Sequence, residues 1–194
     1  EYKPDATQSA YRALRNRALS FLAYQDSAFL AKIQATGAQN MTDQLSAFST
    51  VIKHNPNSEH IKLFYDQWKH ERLVIDKWFS AQVLAAHPNS LTKVVKNLTT
   101  HSDFTIKTPN RVRSILGAFS ANTAGFHLET GENYKLFSDW ILKVDPVNPQ
   151  VGARMCSAFE TWKRYDSKRQ KLIRSQMNRV LGAESVSKDT REML

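Results

Sequence analysis

Apolar side chains recur along most of this chain at intervals of three and four residues, the spacing that places them on one face of an α-helix. No segment shows the apolar–polar alternation of a half-buried strand. The apolar positions that carry the helical pattern in the first six segments are Tyr11, Leu14, Leu19 and Leu22; Phe29, Leu30 and Ile33; Leu45, Phe48, Val51 and Ile52; Ile61, Phe64, Tyr65 and Trp68; Leu73–Ala86; and Leu91, Val94, Val95 and Leu98. The pattern predicts an all-α protein.

Further helices follow in the second half of the chain, separated by short polar turns. The pattern predicts them over Pro109–Phe119, Glu132–Val144, Pro149–Trp162 and Asp166–Leu181, with a last short one capped by Ser187. The longest predicted loops are Thr100–Thr108 and Ser120–Gly131. Short helices joined by short turns favour antiparallel pairs stacked side by side. We therefore predict a single domain over residues 1–194, a superhelical, HEAT- or solenoid-like array of about ten helices with irregular repeats.

Two helix starts share an unusual combination of residues. Thr108-Pro-Asn-Arg-Val-Arg113 and Asn148-Pro-Gln-Val-Gly-Ala-Arg154 each begin with a capping residue, followed by proline at the first helical position. Both segments then place arginine within the first two turns. A helix N-terminus already carries positive charge, so a cation there is mildly unfavourable. We interpret the two segments as parts of a surface that faces an anion, because arginine at these positions does not stabilise the helix.

Positive charge dominates the chain, and its distribution leaves two functions open. Lysine and arginine number 27 against 18 acidic residues, giving a net charge of +9. The excess is concentrated in Trp162–Arg179, where Asp166 is the one acidic residue. Such a segment is typical either of a nucleic-acid contact or of a helix face that meets solvent or an acidic partner. No RNA-binding, zinc-finger or helix-turn-helix signature accompanies it.

The sequence contains no recognisable catalytic or metal-binding constellation. His70-Glu-Arg-Leu-Val74 approaches the zinc motif His-Glu-x-x-His, but valine occupies the position of the second ligand. Cys156, the one cysteine, lies on an apolar helix face with Met155 and Phe159, which predicts a buried, unreactive thiol. No glycine-rich phosphate loop or nucleophile elbow is present. We expect no catalytic residue, no metal site and no cofactor in this chain.

Three further features bear on the cellular context of the chain. A single cysteine fits a reducing compartment, and we expect a cytoplasmic protein. No apolar run approaches the roughly 20 residues of a membrane-spanning helix. The first residues, Glu1-Tyr-Lys-Pro-Asp5, contain neither an initiator methionine nor a signal-peptide pattern. We interpret the chain as a fragment of a longer protein.

Several ordered blocks carry a family resemblance that extends from about Tyr11 to about Gly182. The blocks are Asn40–Asp43, Leu73–Phe79, Thr108–Phe119, Asn148–Val151 with Arg154, and Lys163–Gln170. Together they resemble the C-terminal domain of bacterial aminopeptidase N, the alanyl aminopeptidase branch of the zinc gluzincin aminopeptidases. The tail Ala183–Leu194 and the loop Asn122–Gly131 match the family less well.

The resemblance implies a specific role for the chain. In the family, the zinc site and the catalytic residues lie upstream of an all-helical C-terminal domain that closes over the active site. This chain is then expected to lack peptidase activity alone, to hold no zinc, and to have the upstream catalytic domain and a peptide substrate as partners. Enclosing the site limits access to peptides and excludes water from the chemistry.

The resemblance also implies which residues line the substrate channel. Carried over position by position, these are Arg113, Gln150 and Arg154, with Arg111 as a weaker candidate. An arginine there can donate two hydrogen bonds to a peptide carbonyl or carboxylate, which orients the substrate without cleaving it. The alternative for these arginines is pairing within the domain. For the whole chain, the competing function is a stand-alone helical module that binds an acidic partner or nucleic acid through residues 162–179.

Overall fold

The computed structural model describes residues 2–194, and every regular element within that range is a helix. The all-α prediction is therefore confirmed. Backbone contacts divide the chain into two compact units, the first ending at Ala86 and the second spanning His87–Leu194. That one domain covers residues 1–194 stays a prediction. No helix in the described range is long and apolar enough to cross a membrane.

Within residues 2–86, the first unit contains five successive helices. They are α1 (Ala6–Asp26), α2 (Phe29–Gly37), α3 (Met41–His54), α4 (His60–Trp68) and α5 (Arg72–Ala85). Asp5 caps α1 by accepting a hydrogen bond from the Gln8 backbone N–H at 2.7 Å. Asn40 caps α3, its side-chain oxygen accepting from the Asp43 backbone N–H at 3.0 Å.

Small side chains form the contact among α1, α2 and α3. The shared core consists of five alanines with one leucine and one valine: Leu19, Ala23, Ala28, Ala31, Ala35, Ala47 and Val51. Because alanine extends little beyond the backbone, the three helices approach closely. A buried polar cluster accompanies them, in which the Asp43 carboxylate accepts from Asn16 at 2.9 Å and pairs with Arg15. Gln34 in turn donates to Asn16 at 2.8 Å.

The apolar stripe that marks α1 in the sequence does not face this core. Of its four members, Leu19 is buried, whereas Tyr11, Leu14 and Leu22 are exposed. The buried face of α1 instead consists of Arg12, Asn16, Leu19 and Ala23. The stripe on α2 behaves in the same way, since Phe29, Leu30 and Ile33 are all exposed.

The second unit contains the remaining helices. They are α6 (Leu91–Leu98), α7 (Pro109–Val112), α8 (Ala118–Ala121), α9 (Thr123–Phe126), α10 (Glu132–Val144), α11 (Pro149–Cys156), α12 (Ser167–Leu181) and α13 (Lys188–Met193). A π-helical turn, Arg113–Gly117, joins α7 to α8 without a break. Single 3₁₀ turns occupy Pro88–Ser90, Ser157–Phe159 and Trp162–Arg164.

Most predicted helix positions in this unit agree with the structure. The bounds of α10 are those predicted, and Asp166 caps α12 by accepting from two backbone N–H groups at 3.0 Å. The ninth predicted helix ends as a 3₁₀ turn at Phe159, short of Trp162. The predicted loop Ser120–Gly131 is wrong in part, because α9 forms within it, capped by the Asn122 side chain.

Aromatic side chains fill the core of the second unit. Phe126 contacts the rings of Phe119, Phe137, Tyr134 and Phe159 at centroid distances between 5.2 and 6.3 Å. All five rings are buried. This cluster ties α8, α9 and α10 to the turn after α11 and so fixes the frame in which the candidate site lies.

Candidate functional site

A cavity of about 500 Å³ opens between the α7–α8 segment and α11. Its lining includes residues from both predicted anion-facing segments, residues that directly follow each segment along the chain, and Phe137 of α10. The lining residues are Pro109, Val112, Arg113, Leu116, Gly117, Ser120, Phe137, Asn148, Gln150, Val151, Arg154, Met155 and Ser157. The two segments were singled out separately in the sequence, and the fold brings them to opposite walls of one cavity.

The two helix starts that form the walls differ in their caps. Proline occupies the first helical turn at both Pro109 and Pro149, as predicted. Asn148 caps α11, its side-chain oxygen accepting from the Val151 backbone N–H at 3.1 Å. Thr108 makes no such bond, so its predicted capping role is wrong. Proline at the first position needs no hydrogen-bond partner, and α7 starts without a side-chain cap.

The π-helical turn lies directly on the cavity. Its first and last residues, Arg113 and Gly117, both belong to the lining. A π turn inserts an additional residue into a helix and is frequent at functional sites. A Cβ atom placed on Gly117 would meet no atom within 4 Å, so glycine here leaves open space rather than relieving a clash.

Two cations stand at the cavity without a carboxylate partner. Arg113 and Arg154 are both exposed, and no aspartate or glutamate is among the lining residues. Arg113 donates to the side-chain oxygen of Asn110, a neutral acceptor. Within residues 2–194, the Arg154 side chain has no hydrogen bond or ion pair. No ion pair within the described residues neutralises Arg113 or Arg154. Their positive charge is therefore available to a ligand.

The other two predicted channel residues occupy different environments. Gln150 is exposed and contributes its amide to the same cavity, one turn before Arg154. Arg111 is buried and is not part of the lining, and its backbone carbonyl accepts from the Ser114 hydroxyl at 2.8 Å. Arg113, Gln150 and Arg154 thus line the same cavity, whereas Arg111 does not.

Much of the remaining lining is apolar, a feature that the sequence pattern did not predict. The apolar lining consists of Val112, Leu116, Phe137, Val151 and Met155. All five are buried, so the cavity floor is continuous with the core of the unit. A floor of this kind beside two guanidinium groups suits an extended ligand that has apolar side chains and carbonyl or carboxylate oxygens. The signal in the sequence was ordinary helical periodicity, which does not distinguish a cavity floor from a packed core.

The basic segment 162–179 is less available than its composition indicates. Arg169 pairs with Asp166 at 2.5 Å, and its Nε donates to the backbone carbonyl of His127 at 2.6 Å. Lys168 lies 3.3 Å from Glu129. Arg179 and Asp139 are 2.7 Å apart. Three cations of this segment are therefore committed to acidic groups of the same unit.

Two further observations concern the titratable groups of residues 2–194. In the described range, no three His, Cys, Asp or Glu side chains are grouped so that they could hold a metal ion. Cys156 is buried as predicted, and burial together with the charge of Asp145 raises the pKa of its thiol to about 12. Such a thiol stays protonated at neutral pH and is a poor nucleophile.

The described residues form an all-helical fold, and comparison with known families gives the same class. The family model described as "Domain of unknown function (DUF3458_C) ARM repeats" matches residues 1–194. The chain belongs to this family of ARM-repeat domains.

Its relatives are larger proteins. The chain is 36% identical over 200 residues to aminopeptidase N of Escherichia coli and 34% identical over 199 residues to aminopeptidase N of Caulobacter vibrioides. The whole chain is covered in both cases, but it spans only 23% of each relative. The matched regions are C-terminal. The chain thus corresponds to the C-terminal helical domain of bacterial aminopeptidase N, as the sequence blocks indicated.

A solved structure agrees with these relatives. The crystal structure of Legionella pneumophila aminopeptidase A in complex with aspartic acid matches 97% of this chain and 23% of its own, with a TM-score of 0.90 and 31% identity. The all-helical fold predicted from the sequence is therefore shared with an aminopeptidase.

Proposed function

We propose that this chain is the C-terminal cap domain of a zinc-dependent aminopeptidase that removes N-terminal residues from peptides. In that role it closes the active-site cavity and lines the substrate channel, and it contributes no catalytic residue. Three aminopeptidase N relatives, each at least 33% identical over the whole chain, support an aminopeptidase as the parent protein.

The observation that carries the proposal is the cavity shared by Arg113, Gln150 and Arg154. The two guanidinium groups face an apolar floor and have no carboxylate of their own to neutralise them. Each can donate a pair of hydrogen bonds to a backbone carbonyl or a terminal carboxylate of a peptide. The Gln150 amide can donate to a carbonyl or accept from a peptide N–H. The cavity would hold the part of the substrate beyond the scissile bond.

Zinc chemistry, in this proposal, belongs to the upstream part of the parent protein. The described residues of this chain offer no group of three ligands that would hold the metal. What they supply is position and exclusion of water, because closing a cap over a reaction site lowers the local dielectric and strengthens every charge interaction inside. We also propose a cytoplasmic location, which the single, buried cysteine supports.

The test is peptidase kinetics of the full-length enzyme carrying Arg113→Ala or Arg154→Ala. Losing one charge-assisted hydrogen bond costs about 1.5–3 kcal/mol, so we expect KM for tripeptides and longer peptides to rise by roughly 10- to 150-fold. The kcat is expected to change little, because the interaction is made in the ground state as well as in the transition state. Single-residue chromogenic substrates are expected to be affected much less.

Arg164→Ala is the matched control, because Arg164 is an exposed arginine of the same unit that lies outside the cavity. It should leave KM unchanged. Zinc content should be the same in all variants. Unaltered kinetics of both cavity variants on every peptide length would refute the channel role.

The stand-alone binding module remains the competing function, and it makes a different prediction. Binding of a polyanion through residues 162–179 would be steeply salt-dependent and would weaken on removing Lys163 or Lys171. The acidic partners of Lys168, Arg169 and Arg179 favour the cap domain instead.

A further inference from the structure

Large apolar side chains are exposed on both of the first two helices. Tyr11, Leu14 and Phe21 of α1 are 69%, 70% and 61% exposed, and Phe29 and Ile33 of α2 are 60% and 54% exposed. Exposure of single apolar residues is normal, whereas many large ones on two consecutive helices mark an interaction site. We call this surface the outer face of α1–α2; its members are Tyr11, Leu14, Phe21, Leu22, Phe29, Leu30 and Ile33.

The outer face has the regular spacing of a packed helix face. On α1, positions 11, 14, 18, 21 and 22 fall within a sector of about 100° when the helix is viewed down its axis. The residues that α1 buries against α2 and α3, among them Asn16 and Ala23, lie on a different side. Helix α1 therefore has one face that is buried and a second, apolar face that the described residues of the chain leave exposed.

We propose that the outer face of α1–α2 is the surface on which the preceding part of the polypeptide, the upstream region of the parent aminopeptidase, docks. This deepens the proposed function and rests on it. In the aminopeptidase N relatives the matched region is C-terminal and spans 23% of the length, so most of the polypeptide precedes it. The outer face belongs to the first two helices of the matched region, where that preceding segment enters.

Charge on the same helices favours this occupant over a second copy of the chain. Arg17 lies over the ring of Phe21 at 4.7 Å and borders the outer face, and Lys32 belongs to α2. A two-fold symmetric pair would bring each face against itself and place like charges together. An upstream surface that has apolar groups at its centre and acidic residues at its rim would complement both the apolar side chains of the outer face and these two cations.

The experiment measures thiol labelling of single-cysteine replacements in the full-length protein, with each site quantified by peptide mass spectrometry. Leu14→Cys and Phe21→Cys report on the outer face. Lys62→Cys is the control in the same unit, because the Lys62 side chain is 81% exposed and lies on α4. Behind a docked segment a thiol reacts only through local opening, so we expect labelling at both sites to be at least about tenfold slower than at the control.

Equal labelling at all three sites would overturn the proposal. Protection that disappears on dilution, together with a dimer in sedimentation at the higher concentration, would overturn it in favour of a second copy. Peptidase activity of the same variants separates this inference from the proposed function. Protected sites in an inactive protein would support docking and count against the aminopeptidase, whereas labelled sites in an active one would do the reverse.

Discussion

The buried carboxylate of Asp145 accepts two hydrogen bonds from Ser187, one from its backbone N–H and one from its hydroxyl, both at 2.7 Å. It accepts a third from the Thr190 hydroxyl at 2.5 Å. These bonds hold α13 against the turn between α10 and α11, and α11 forms one wall of the cavity. The C-terminal tail is thus anchored by a single acidic residue next to the candidate site.

Replacing Asp145 with asparagine should destabilise the second unit. The side-chain amide nitrogen of asparagine would take the place of one carboxylate oxygen. It would then face an N–H or O–H donor instead of an acceptor, which leaves a buried N–H unpaired. We expect a loss of about 2–3 kcal/mol in the free energy of unfolding, measured by urea denaturation. Asp139→Asn is the matched control, since Asp139 pairs with Arg179 at the surface and such pairs contribute about 0.2–1 kcal/mol. Equal losses in the two variants would contradict the anchoring role.

Gly152 and Gly117 should respond in opposite ways to the same substitution. A Cβ atom on Gly152 would come within 2.8 Å of the Asp145 Cα and 2.7 Å of its Oδ1, and the backbone atom cannot move aside cheaply. Gly152→Ala should therefore cost about 1–3 kcal/mol of stability. Gly117→Ala enters open space in a helical backbone and should gain up to about 1 kcal/mol. Thermal or urea unfolding of both variants measures this, and a Gly152→Ala protein as stable as the parent would exclude the close contact.

Stability should decline in mild acid because of His127. Its ring stacks on Tyr165 at 4.0 Å, and its Nδ1 lies 2.9 Å from the Tyr134 hydroxyl. Burial, with a smaller contribution from the charge of Arg169, lowers the pKa of His127 to about 4. In the unfolded chain the pKa is near the ordinary 6.5, so between pH 6.5 and 4 the unfolded state binds the additional proton.

Because the unfolded state binds this additional proton, lowering the pH favours unfolding. The contribution of His127 to stability is complete above pH 6.5 and falls as the pH drops toward 4, by at most about 1.4 kcal/mol per pH unit. Urea unfolding at a series of pH values, compared with His127→Gln, should show this slope disappear in the variant. An NMR titration that places the His127 pKa at 6.5 or above would contradict the burial argument.

Local signals in the sequence were sufficient for many element positions. The bounds of α10 and the cap Ser187 are those predicted, because helical periodicity and capping depend on residues within a few positions of one another. Gly37 ends α2 without the left-handed conformation that glycine often adopts at a helix end, since Gly131 is the one glycine in residues 2–194 with positive φ. A helix end can be recognised from a glycine without fixing the conformation that the glycine adopts.

Burial was harder to infer than helicity. His60 directly follows a polar turn of the chain, yet it is buried, with its Nδ1 3.0 Å from the Ser58 hydroxyl. The stripes of α1 and α2 are helical in period but face outward, because alanines and a polar cluster around Asp43 form the actual contact. Periodicity reports that one face differs from another; which of two faces meets the core depends on neighbours that are distant in the chain.

The sequence by itself determined the all-helical class, most helix positions and the two arginine-bearing helix starts, since each depends on interactions within a few residues. Only the tertiary structure decided that those starts face one cavity, that Arg113, Gln150 and Arg154 line it, and that Arg111 does not. The same holds for the apolar cavity floor and for the outer face of α1–α2. These features depend on which distant helices pack together, and long-range packing is set by the shapes of all contacting side chains rather than by any local pattern.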